Sequence, residues 1–72
     1  MVHPRLNIER MDPGVREAVI AAGGIRPLAR ALGILHTTII RWRFIPIERL
    51  LQVEKVTGVP RERLRPDIFR KS

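Results

Sequence analysis

Ile25-Arg26-Pro27-Leu28-Ala29-Arg30-Ala31-Leu32-Gly33-Ile34-Leu35-His36-Thr37-Thr38-Ile39-Ile40-Arg41-Trp42-Arg43 is the stretch on which the fold turns. Leu28 and Leu32 lie one helical turn apart and form an apolar stripe with Ala29 and Ala31 beside it, while Arg26 and Arg30 share the opposite side. Proline is tolerated in a helix only in the first turn, where its missing N–H has no partner to lose, so Pro27 places the helix start at about Ile25. Gly33 ends it, and a second helix follows from about Leu35 to Arg43. Two helices joined by so short a turn pack only if a small residue faces the partner and the turn residue tolerates a positive φ. Ala29 and Gly33 meet those needs. Ile39 and Trp42, three residues apart, then point from the second helix back into the core. The pattern is a helix-turn-helix.

One face of the second helix is left free, and it carries Leu35, His36, Thr37, Ile40 and Arg41, with Thr38 and Arg43 at its edges. A recognition helix presents such residues to base edges in the major groove, which makes these five the candidate base contacts. Arg26, Arg30, Thr38 and Arg43 are the candidate contacts to the DNA backbone. Leu35 and Ile40 fit two readings, against thymine methyl groups or as ordinary core residues. Arg41 can bridge both acceptors of a guanine.

Outward from this unit, Asp12-Pro13 reads as a helix start, with the carboxylate capping free amides and proline at the first position. That helix runs to about Ala22, with Val15 and Val19 on its inner face, Ile20 and Ala22 beside them, and Gly23-Gly24 as its stop. On the other side, Phe44-Ile45-Pro46 forces an extended break and Pro46 opens a fourth helix. Ile47, Leu50, Leu51, Val53 and Val56 give that helix a broad apolar face, and Gly58 ends it. Val59 to Leu64 fits one short helix, and Arg65-Pro66-Asp67-Ile68-Phe69 a turn-like tail. The expectation is an all-α bundle of four to five helices: residues 1–11 form a flexible arm, 12–69 the domain and 70–72 a tail.

Composition narrows the partner. The 72 residues predict one small domain, with no cysteine for a disulfide or a thiolate zinc site, and His3 and His36 lie too far apart in sequence to seed a metal site. Fourteen basic residues against seven acidic ones give a net charge of +7, which favours a polyanion. Twelve of the fourteen are arginine, whose planar fork suits phosphate oxygens and guanine edges. No apolar run has the length of a membrane span and the start lacks a signal-peptide core, so the expected location is the cytoplasm, at the nucleoid. With scattered acids, one serine at residue 72 and one mid-chain histidine, the chain offers no catalytic constellation; the reading is not an enzyme, with no cofactor and no small-molecule substrate. RNA is a weaker partner than duplex DNA, because only Trp42, Phe44 and Phe69 could stack bases.

Ala21-Ala22-Gly23-Gly24, Leu28 to Gly33, Trp42-Arg43, Pro46, Glu48-Arg49, Val53-Glu54, Thr57-Gly58 and Leu64-Arg65-Pro66-Asp67-Ile68-Phe69 together resemble the YdaS family of Cro-like helix-turn-helix proteins, over about residues 18–69. The resemblance implies a lambda-repressor-like fold and a transcriptional regulator, of bacterial or prophage origin, that binds an operator as a homodimer. It also implies an alternative, an antitoxin-type module that holds a toxin partner and autoregulates its operon. Ile68 and Phe69 are the candidate dimer or partner contacts, being apolar on a tail too short to fold alone, with docking on the chain's own core as the equally open alternative. Two positions depart from the family. Ile25 stands where glutamine is common, which hands any backbone contact of that side chain to Arg26, and Leu35 stands where a serine commonly caps the recognition helix. Losing a cap oxygen costs about 1 kcal/mol unless Thr37 or Thr38 replaces it.

Overall fold

A computed structural model describes residues 11–69, so the expectations for residues 1–10 of the arm and for the tail at 70–72 lie outside the described residues. Five helices follow one another: α1 (Pro13–Ala22), α2 (Ile25–Leu32), α3 (His36–Arg41), α4 (Ile47–Thr57) and α5 (Arg61–Leu64). Several boundaries have an identifiable cause. Asp12 accepts from the amides of Gly14 and Val15 at 2.9 and 3.2 Å, with Pro13 at the first position of α1. At Gly33 the left-handed backbone, φ 72°, lets Ile34 donate to the Ala29 carbonyl at 3.0 Å and turns the chain into α3. α5 starts where the Arg61 amide donates to Glu54 Oε2 at 3.1 Å, a cap supplied from α4.

The core forms where the inner faces of α1, α2 and α4 meet α3 and α5. Val15, Ala18, Val19, Leu28, Ala29, Leu32, Ile39, Ile45, Leu50, Val53, Val59 and Leu64 are buried, and Met11, Ala22, Ile25, Ile34, Trp42 and Phe69 pack partly against them. α1 and α5 come so close that a Cβ on Gly14 would run into the Leu64 carbonyl. Arg63 donates to Glu17 at 2.8 Å across the same pair of helices. Gln52 of α4 donates to the Leu32 carbonyl at 3.3 Å and so ties α4 to the last turn of α2.

Four sequence expectations are corrected. α3 stops at Arg41, two residues before the expected end at Arg43. Trp42 is extended, φ −66° and ψ 129°, because the chain must leave the helix early to carry Ile45 into the core before Pro46 opens α4. Ile20 is exposed rather than beside the inner face of α1, and Ala31 is exposed beside the α2 stripe. On α4 only Leu50 and Val53 are buried; Ile47, Leu51 and Val56 face solvent, because a helix of this size presents one narrow stripe to a small core. Trp42 is half-buried, and the fully enclosed side chain of that segment is Ile45.

Candidate nucleic-acid interface

α3 buries one residue, Ile39, and exposes nearly everything else. Thr37 and Arg41 stand one turn apart on the side opposite Ile39, both exposed, with Thr38 and Ile40 flanking them. Leu35, in extended backbone just before the helix, is 71% exposed and Ile40 is 38% exposed, so neither is a core residue. His36 opens α3 and is half-buried. It lines a shallow groove of about 210 Å³ with Arg26, Ala29, Arg30, Ile34 and Leu35, so four expected contact residues, Arg26, Arg30, Leu35 and His36, share one surface. Arg43 lies outside this helix, in the bend that follows Trp42. No side chain caps α3, and neither threonine supplies the missing bond; the Thr38 amide bonds the Leu35 carbonyl at 3.0 Å instead. Ile25 packs partly against the core and Arg26 beside it is exposed, so the outward position at the start of α2 belongs to the arginine.

Seven of the nine arginines among the described residues fall into two groups; of the other two, Arg16 lies on α1 and Arg49 on α4, where it donates to Gln52 at 3.1 Å. Arg61, Arg63 and Arg65 form salt bridges with Glu54, Glu17 and Asp67, at 3.4, 2.8 and 2.7 Å. Arg26, Arg30, Arg41 and Arg43 are exposed and form no salt bridge among the described residues. The reason is in the sequence: from Ala18 to Ile47 the chain carries no acidic residue, so the helix-turn-helix has no internal counter-charge. An uncompensated cationic surface of this kind attracts phosphate and releases counterions on binding it.

Arg65 is the residue that sequence reasoning missed. Its backbone and side chain are almost fully enclosed, at 6% exposure. Nε and Nη2 donate to the two oxygens of Asp67 at 3.0 and 2.7 Å, and Nη1 donates to the Ile45 carbonyl at 2.7 Å. The guanidinium also lies over the Phe44 ring, 4.4 Å from its centre. The hydrogen bonds between Arg65 and Asp67 raise the Arg65 pKa and lower that of the Asp67 carboxyl below the usual carboxylate range. The only sequence signal was the run Arg-Pro-Asp, in which proline turns the chain so that the carboxylate meets the guanidinium two residues back.

Ile68 and Phe69 do not act as a pair. Their amides both bond the Arg65 carbonyl at 3.0 Å, closing a turn that leaves Ile68 exposed and lays Phe69 partly against the chain's own core, with Arg61 5.8 Å above its ring. Among the described residues no helix is long and apolar enough to cross a membrane, and no cluster of three potential ligands could hold a metal ion.

These features agree with what the chain is similar to. The Cro protein from putative prophage element Xfaso 1 in Xylella fastidiosa strain Ann-1 shares 32% identity and a TM-score of 0.72, over 83% of this chain and 100% of that chain. No curated protein matches. The fold is therefore a Cro-like helix-turn-helix, with α2 and α3 as its two helices. The family model described as bacterial toxin YdaS matches residues 15–72; the chain belongs to the YdaS family.

Proposed function

We propose that the chain is a sequence-specific DNA-binding regulator that sets α3 in the major groove. The observation that carries this reading is the division of the arginines: the four on the acid-free helix-turn-helix form no salt bridge among the described residues, whereas those of α5 and the following turn are engaged by carboxylates. Arg26, Arg30, Thr38 and Arg43 grip phosphates and fix the register, and Leu35, His36, Thr37, Ile40 and Arg41 meet base edges. The exposure of Leu35 and Ile40 supports contact with thymine methyl groups, since such side chains gain nothing from water. Glu17, Glu54 and Asp67 are held by arginines, which supports a binding protein over an enzyme.

A single recognition helix spans only a few base pairs, too few to single out one site, so the operator is bound by two copies about one helical turn apart. Ile68 is the available apolar contact of the C-terminal turn; Phe69, packed on its own core, sets its position. The description of the family as a bacterial toxin favours a second reading, in which the protein also belongs to a toxin–antitoxin pair and the Ile68 surface meets a protein partner. Selection from a pool of random duplexes tests the first reading. The expected product is a two-fold repeated half-site with a spacing of about 10 base pairs; a pool that stays random after binding and recovery contradicts it.

A further inference from the structure

Contact with DNA by α2 and α3 gives the Arg-Pro-Asp turn no role. Its geometry does. Arg65 reaches from the C-terminal turn into the loop between α3 and α4, where it holds the Ile45 carbonyl at 2.7 Å and stacks on Phe44 at 4.4 Å. Asp67 grips the same guanidinium with both oxygens and so fixes its plane. Arg43 sits between two anchored neighbours: Trp42 packs against the core on one side, and Phe44 is held by Arg65 on the other. Arg43 itself is exposed and makes no salt bridge among the described residues. Its backbone is therefore set while its side chain stays available, which lowers the ordering cost of a phosphate contact.

We infer that Arg65, locked by Asp67, is a positioning residue for DNA binding, which holds the loop after α3 so that Arg43 meets a phosphate at the end of the recognition helix. The inference rests on the DNA-binding reading above and adds to it the residue that makes the Arg43 contact effective. Asp67 is the better handle for a test, because its side chain is 63% exposed whereas removal of Arg65 would leave a buried carbonyl without a donor.

The test is a double-mutant cycle on the full chain, with a mixed-sequence duplex of about 20 base pairs as probe, since a phosphate contact does not depend on sequence. Arg43→Ala should weaken binding roughly tenfold at low salt and reduce the log–log salt slope by about 0.9. Asp67→Ala should weaken it at least about threefold with Arg43 present, and less than about 1.5-fold with Arg43→Ala present, which is the coupling expected of residues acting as one unit. Arg65→Lys, which keeps the charge but cannot serve both Asp67 oxygens and the Ile45 carbonyl, should behave like Asp67→Ala. Circular dichroism at the assay temperature must show each variant as helical as the parent. Equal losses from Asp67→Ala in both backgrounds overturn the inference, as does unfolding of both Asp67→Ala and Arg65→Lys, which would make the turn a purely structural lock. If Arg43→Ala leaves duplex affinity unchanged, the inference falls while DNA binding stands; if the parent protein does not bind duplex at all, the reading beneath it has failed first.

Discussion

Thr37 and Arg41 project from α3 opposite the single residue that anchors it, Ile39, and this opposition makes Arg41 the strongest candidate for reading a base. Arg41→Ala should leave the melting curve unchanged, cost about 1–3 kcal/mol on the selected operator and relax preference at one base pair per half-site. Equal weakening on all duplexes would instead make Arg41 a phosphate contact. Gly14 gives a stability prediction of the opposite kind. In an open helix, alanine for glycine gains up to about 1 kcal/mol. At Gly14 the added methyl would meet the Leu64 carbonyl, which is backbone and cannot step aside, so Gly14→Ala should destabilise the domain by about 1–3 kcal/mol in thermal or urea unfolding. A more stable variant would refute the close approach of α1 and α5. Some of this scale was legible in the sequence. Leu28, Leu32 and Ile39 announce themselves by helical spacing. Ile45 and Arg65 do not, because each is buried through a turn that joins distant parts of the chain, and no local period reports that.

At the scale of elements, α1, α2 and α4 have the starts and stops that proline, Asp12 and the left-handed glycines dictate, which is why their positions could be read directly. The end of α3 could not. Leu35 to Arg43 has helical spacing throughout, and the helix yields at Arg41 only because burial of Ile45 draws the chain inward, a tertiary demand that overrides local preference. The free apolar side chains of α4 went unread for a related reason: five apolar residues in eleven look like a broad buried face until the bundle proves too small to cover them. The start of α3 is its weak point, since Leu35 occupies the cap position with no hydrogen bond to offer and is itself 71% exposed. Leu35→Ser should therefore stabilise the domain by about 1 kcal/mol, a rise of about 4–8 °C in melting temperature. An unchanged or lower melting temperature would show that α3 gains its anchoring from the packing of Leu35 and not from its cap.

For the whole molecule, the net charge of +7 matters less than its distribution. Glu17, Glu54 and Asp67 bind the arginines of α5 and its following turn, while the acid-free middle of the chain keeps four arginines that form no salt bridge among the described residues. The sequence made the excess legible but not the pairing, because Glu17 and Arg63 are neighbours only in the folded bundle. The Arg-Pro-Asp turn couples the C-terminal end to the loop after α3, so on the proposed DNA-binding reading the domain would meet a duplex as one body. The most direct measurement of this account is the salt dependence of duplex affinity for the parent, for the triple variant Arg26→Ala, Arg30→Ala, Arg43→Ala, and for Arg63→Ala, whose side chain is tied to Glu17. The account predicts a slope reduced by about 0.9 for each of the three arginines removed and an unchanged slope for Arg63→Ala. Equal reductions per arginine in the two variants would contradict it, because the positive charge would then act as a whole and not through the helix-turn-helix.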